Sequence, residues 1–214
     1  MSSLGNAVLD ISTIADAPVC REPFEYFVAR DVIPADSSQT LIDACPVLKG
    51  SGSYPVAILK FGPAFDSLLT ELRSRRFADA IGAHFCLPDL ATLPQLITFR
   101  GWSSANDGSV HTDAEWKLIT VLLYLNASWD QAGGRLRLLR STSLDDVAVE
   151  VPPTCGTLVA FRRSSRSYHG HLPSAGQRRV VQVNWVTDAS YVVREERRHR
   201  RSALFKSMLG LRPL

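Results

Sequence analysis

The amino-acid sequence predicts a mainly β protein, a double-stranded β-helix (jelly roll) behind an N-terminal helical layer. About eight short runs rich in β-branched and aromatic residues follow Gln95, separated by turn residues at regular spacing. Before them, Phe65 to Phe85 carries the apolar period of a helix. The 214 residues, 45% hydrophobic and 21% charged, are ordinary composition for one globular domain with a sizeable core.

Residues 1–22 are small and polar and read as a flexible lead-in. The domain proper is expected over 23–190, with a helical layer over 23–95 and a jelly-roll core over 96–190; a basic amphipathic tail covers 191–214. Phe24 to Ile33 has strand content and ends at Pro34. Leu41 to Cys45 follows a serine cap at helical spacing and stops at Pro46. A Gly/Ser/Pro turn then leads to a short strand, Val56 to Phe61. In the helix from Phe65, the apolar positions Leu68, Leu69, Leu72, Phe77, Ile81 and Phe85 alternate with Glu71, Arg73, Arg75 and Arg76. The expected strands are Leu96–Trp102, Val110–Asp113, Lys117–Leu125, Arg135–Leu139, Val147–Val151, Thr157–Arg162, Ser167–His169 and Arg178–Val186. Gly133 and Gly134 supply a tight turn between two of them.

The bulk properties narrow the function classes. A net charge of +3 is too small to argue for a nucleic-acid partner, and the basic excess is local to the C-terminus. Four scattered cysteines without a CxxC pair read as reduced thiols rather than a zinc or disulfide framework. The N-terminus has no basic region followed by an apolar run, and no apolar run approaches the ~20 residues of a membrane span. Cytoplasm is the expected compartment.

The chemistry concentrates at Val110-His111-Thr112-Asp113. On a strand His111 and Asp113 point the same way, and His169 offers a second imidazole downstream. Two histidines and one carboxylate on one face of a metal, with the other positions open, is the arrangement of non-haem Fe(II) oxygenases. An isolated HxD is weak by itself, so the later segments matter. In order they are Leu123-Tyr124-Leu125-Asn126, Trp129 before Gly133-Gly134, Pro152 to Gly156 leading into Leu158 to Phe161, and Tyr168-His169-Gly170-His171-Leu172-Pro173. Gly176-Gln177-Arg178-Arg179 and Asn184-Trp185 complete the set.

With these pieces in this order, residues 96–187 resemble the prolyl-hydroxylase-like Fe(II)/2-oxoglutarate dioxygenases. The resemblance implies His111, Asp113 and His169 as iron ligands. His169 is preferred to its competitor His171 because the family places its ligand four residues before the proline, here Pro173. It implies Fe(II), 2-oxoglutarate as cosubstrate and O₂, with ascorbate a further candidate. A buried arginine must hold the distal carboxylate of 2-oxoglutarate. Arg178 and Arg179 compete, and the six-residue spacing to Trp185 favours Arg179. Tyr124 is expected to add a hydroxyl to the same carboxylate, with Thr120, four residues earlier on the same strand face, as a further contributor. Asp113 favours hydroxylation over halogenation, because related halogenases replace the carboxylate with a small residue.

The implied substrate is a small molecule, a conjugated intermediate or peptidyl proline. The rival readings are a non-catalytic jelly-roll binding module and a cupin-like metalloenzyme that does not use 2-oxoglutarate. Trp102 is expected in the pocket or the core, and His84 and His199 in structural roles. The basic tail over 194–209 suits a solvated helix end or weak contact with an anionic surface, with Leu204, Phe205, Met208 and Leu209 at docking spacing.

Overall fold

The computed structural model describes residues 7–48 and 50–208, with side chains through Arg201. The docking expected of Leu204, Phe205, Met208 and Leu209 therefore lies outside the described side chains. Two antiparallel sheets make the jelly roll. The larger has six strands in the order β1(Tyr26–Ala29), β7(Leu158–Arg162), β4(Lys117–Tyr124), β9(Gly176–Val186), β3(Gln95–Ser103) and β2(Tyr54–Pro55). The smaller has three, β6(Val147–Val151), β5(Leu136–Leu139) and β8(His169–Gly170).

Both faces of the large sheet are buried, which is why its central strands read as nearly continuous apolar runs. One face, with Ile119, Val121, Leu123, Val181, Val183 and Trp185, packs on the helical layer. There Trp185 stacks on Phe77 at 5.9 Å between ring centroids. The other face, with Tyr124, Val159, Phe161 and Val180, closes on Leu136, Leu138 and Val151 of the small sheet. This alternation decides which side chains of β4 and β9 reach the space between the sheets.

Four expectations are corrected. Over its described residues, 7–22, the lead-in is not loose: α1(Ile11–Ala15) is capped by Asp10, and Ile14 is fully buried. The Glu71 carboxylate accepts the backbone N–H groups of Val8 and Leu9 at 2.6 and 2.8 Å. The run from Phe65 to Phe85 is two helices, α3(Pro63–Leu72) and α4(Arg75–His84). Ser74 separates them because its hydroxyl caps the Phe77 N–H at 3.1 Å. Val56 to Ile58 forms a 3₁₀ turn after the two-residue β2 rather than a strand. Finally, Val110–Asp113 is not a strand; only His111 pairs, in an isolated bridge to His169.

The remaining helices are α2(Ala35–Asp43), within the helical layer, and α5(Ala189–Met208), which follows β9. α5 lies against β2, β3 and β9, so the basic tail packs on the jelly roll. Trp116 and Tyr191 stack at 5.3 Å, and the Arg194 guanidinium sits 4.8 Å from the Tyr191 ring. Among the described residues no helix is long and apolar enough to cross a membrane.

Candidate metal and cosubstrate site

The bridge between His111 and His169 builds one wall of the site. Each backbone N–H donates to the other's carbonyl, at 3.1 and 3.0 Å, bringing the two rings within 4.4 Å. Gly108 lets the preceding loop lie this close. Its φ is +102°, and a Cβ there would stand 2.3 Å from the His171 carbonyl oxygen. Asp113 comes two residues after the bridge, and one donor atom from each of His111, Asp113 and His169 falls within 4.8 Å of the others. The Asp113 and His169 side chains are buried while His111 is exposed, so the cluster opens to one side.

The local hydrogen bonds prepare these groups to bind a cation. Nδ1 of His111 is 2.8 Å from the Ser109 carbonyl, and Nδ1 of His169 is 2.9 Å from the Ser167 carbonyl. A carbonyl only accepts, so both Nδ1 atoms carry hydrogen and both Nε2 lone pairs are free. Burial, reinforced by His111 and opposed by Asp113, pushes the His169 pKa down to about 4, which keeps the ring neutral. Burial alone would raise the Asp113 carboxyl, but Lys117 and His169 beside it hold it below the usual range. Lys117 Nζ is 2.5 Å from one Asp113 oxygen and Thr120 Oγ1 is 2.5 Å from the other. Imidazole nitrogens and an ionised carboxylate are the donors a hard-to-borderline divalent ion such as Fe(II) accepts.

These residues line a cavity of about 270 Å³ between the sheets, together with Arg100, Leu122, Arg178, Val180, Gln182 and Asn184. Arg178 is 7% exposed and crosses the far part of it. Its Nε donates to the Gly134 carbonyl at 2.8 Å, and its Nη2 donates to the Tyr124 hydroxyl at 3.3 Å. The Gly133-Gly134 turn thus has a second use: Gly134, at φ +75°, presents the carbonyl that holds the arginine.

The preference for Arg179 is corrected. Arg179 shares strand parity with Val181, Val183 and Trp185, all of which face the helical layer. Its charge falls near Cys45 on that side, and the residue borders a shallow surface depression with Asn126 and Gln177. Trp185, used to select Arg179, instead marks the face that cannot reach the cavity. Arg178 shares parity with Val180, Gln182 and Asn184, and all four line the cavity.

Other expectations shift less. Tyr124 is fully buried beside Arg178, as a partner at that end requires. Thr120 lines the cavity but bonds Asp113, so it steadies the carboxylate rather than the cosubstrate end. His171 stands apart from the ligand cluster, with Nδ1 2.9 Å from the Leu172 carbonyl. Trp102 is 39% exposed and is found neither in the core nor among the cavity-lining residues. His84 is structural, packed at a tilt against Phe27 with Nε2 2.8 Å from the Ile14 carbonyl. His199 is not merely structural: with Glu195 and Arg198 it brings α5 to the cavity. Lys117, Arg100 and these α5 residues were missed; strand parity with Thr98 could have found Arg100, whereas no local signal points to α5.

Residues 102–187 match the model of the 2OG-Fe(II) oxygenase superfamily. Over this stretch, 86 of its 214 residues, the chain is similar to the 2OG-Fe(II) oxygenases. A search of curated protein sequences finds no match. Among solved structures, the chain is similar to a Pseudomonas putida prolyl-4-hydroxylase, with 20% identity, a TM-score of 0.57, and coverage of 83% of this chain and 97% of that one. A viral collagen prolyl hydroxylase from Paramecium Bursaria Chlorella virus-1 gives 15% identity, a TM-score of 0.53, and coverage of 80% and 96%. A Trichoplax adhaerens prolyl hydroxylase, solved with a hypoxia-inducible-factor peptide fragment, gives 13%, 0.51, and 85% and 88%. At these identities the likeness to solved structures is one of fold. The cofactors of the 2OG-Fe(II) oxygenase superfamily are Fe(II), 2-oxoglutarate and O₂, and the His111, Asp113 and His169 donor set fits the metal.

Proposed function

We propose that this oxygenase hydroxylates an unactivated C–H bond of a small-molecule, conjugated or peptidyl substrate, converting 2-oxoglutarate to succinate and CO₂. The observation that carries the reading is a single cavity with an open His111–Asp113–His169 cluster and a separate buried Arg178–Tyr124 pair. A non-catalytic module has no use for both, and a metalloenzyme that ignores 2-oxoglutarate has no use for the second.

When bound, Fe(II) supplies the oxidising chemistry, with O₂ and 2-oxoglutarate as co-reactants. The protein's share is placement. His111, Asp113 and His169 would be the ligands, the rings held in the binding tautomer by the Ser109 and Ser167 carbonyls and the carboxylate kept ionised by Lys117 first, then His169 and Thr120. Arg178 anchors the distal carboxylate of 2-oxoglutarate: with Nε tied to Gly134, its outer N–H groups form a fixed fork. Burial raises the Tyr124 pKa despite the neighbouring Arg178, so the phenol keeps its proton and can donate to the same carboxylate. Leu122, Leu136 and Val180 make the intervening walls apolar and keep water out of the reaction space.

Anaerobic titration of the purified protein with Fe(II) and 2-oxoglutarate tests this directly. A weak visible charge-transfer band is expected only when both are present, and Arg178→Ala should demand far more 2-oxoglutarate to develop it. Metal binding without a band would favour a cupin-like enzyme; no metal binding would favour a binding module.

A further inference from the structure

The cavity holds a second arginine, half-buried with its Nε sealed from solvent, that neither the metal nor the cosubstrate uses. Arg100 lies on β3 directly across from Val180 of β9, while Tyr124 of β4 faces Val180 from the other side. The three form a row across three strands, so Arg100 sits about 9–10 Å of backbone away from Tyr124. It borders the wall that α5 closes, where its charge helps to depress the His199 pKa. Its Nε is sealed from solvent and has no hydrogen-bond partner, and among the described residues its guanidinium makes no ion pair. Burial first, and then Arg178, disfavour its charged form, while Asp107 and Asp113, beyond ion-pair distance, partly offset them.

A count of charges shows what is missing. Among the described residues, Arg100, Lys117, Arg178 and Arg198 are the lysine and arginine residues lining the cavity, and Asp113 and Glu195 are its carboxylates. Lys117 pairs with Asp113 and Arg198 with Glu195, each at 2.5 Å, leaving the two arginines Arg100 and Arg178. A divalent metal and the 2-oxoglutarate dianion add no net charge, so the cavity keeps a formal excess of +2; the distal carboxylate is assigned to Arg178 as its contact, and Arg100 faces the cavity with no carboxylate of its own. An unpaired guanidinium whose Nε is sealed from water is destabilising unless a ligand compensates it.

We propose that Arg100 is the substrate-recognition residue of this cavity and that the primary substrate carries a carboxylate seated on its guanidinium. The inference rests on the oxygenase reading above and narrows it. A small carboxylic acid, or a chain ending in one, satisfies Arg100; an internal prolyl residue in an uncharged peptide leaves it unpaired. Carboxylate is the preferred anion because the planar fork of arginine matches its two oxygens.

The test uses the full chain loaded with Co(II) and saturating 2-oxoglutarate, titrated by calorimetry with acetate, benzoate and L-proline and with their amides. Wild type should bind at least one carboxylate tenfold or more tightly than its amide. Arg100→Met should abolish that preference while leaving the 2-oxoglutarate Kd within about threefold, and Arg100→Lys should restore part of it. Arg178→Met should do the reverse. In the ligand-free protein, Arg100→Met should raise Tm by at least about 2 °C, because it removes an uncompensated half-buried charge. Equal binding of acids and amides, or of neither, would overturn the proposal. So would a loss of 2-oxoglutarate affinity in Arg100→Met as large as in Arg178→Met, which would give Arg100 to the cosubstrate. Failure of wild type to bind 2-oxoglutarate at all would instead overturn the oxygenase reading, and the acid–amide comparison on the Co(II) protein would still read Arg100.

Discussion

Two adjacent arginines, Arg178 and Arg179, show how one position along a strand decides chemistry. They share sequence context, length and charge, yet only Arg178 is directed between the sheets. Replacing it should remove charge-assisted hydrogen bonds worth about 2–3 kcal/mol, or roughly 30- to 150-fold in the apparent Kd for 2-oxoglutarate. Arg179→Ala should stay within about twofold. Calorimetry on the Co(II)-loaded protein checks both, and the reverse ranking would return the anchor to Arg179. Thr120 acts one bond further out. Thr120→Val keeps its shape but takes the hydroxyl from Asp113, and losing such an outer partner should cost about 10- to 100-fold in metal affinity. Competition between Mn(II) and a chromophoric chelator measures it; unchanged affinity would mean that Lys117 alone orients the carboxylate.

At the scale of elements, the site depends on pieces too short to be recognised as secondary structure. β8 is two residues long, and the segment carrying His111 and Asp113 is joined to it by one bridge. Such a contact survives because the loop before it fits against β8 without a side chain at Gly108. Gly108→Ala combines a disfavoured φ with a clash against His171, and should cost about 1–3 kcal/mol. At roughly 2–4 °C per kcal/mol for a chain of this size, the melting temperature should fall by several degrees. A melt indistinguishable from wild type would show that the loop does not bear on β8. α5 is the converse case, long and plainly helical in pattern. Its role comes from the Trp116–Tyr191 stack and from Glu195, which is 7% exposed. Together they place a basic helix against a cavity wall.

For the whole molecule, the metal is expected to act as a structural link as well as a reagent. Its ligands come from the loop before β4 and from β8 of the smaller sheet, so the metal would tie together segments with one backbone bridge between them. A ligand that binds only the folded state adds about 2.7 kcal/mol at one hundred times its Kd. Saturating Co(II) should therefore raise Tm by roughly 5–10 °C, and a chelator should reverse it. His111→Ala should lose the shift while keeping the ligand-free melt, because that side chain is exposed. A shift that persisted in His111→Ala would place the stabilising metal elsewhere.

Much of this was written in local pattern. Alternation, turn residues and apolar runs after Gln95 specify a jelly roll, because a strand buried on one or both faces has a signature within its own residues. The His111-x-Asp113 pair and a distant His169 were legible for the same reason: ligand chemistry is a property of residue type and short spacing. The break at Ser74 was overlooked because apolar periodicity continues across it; only the cap shows that the backbone does not. What remained undecided required knowing which face of a strand looks inward. Arg178 or Arg179, Thr120 toward Asp113 or toward the cosubstrate, and Arg100 at all are matters of parity against partners distant in the chain. α5 at the cavity is further still from local pattern, since a helix carries no mark of the wall it will close. The sequence by itself determined the residue types, the fold and the candidate metal donors. Only the tertiary structure decided which cations share one low-dielectric cavity, because burial and charge pairing arise from packing between segments far apart in the chain.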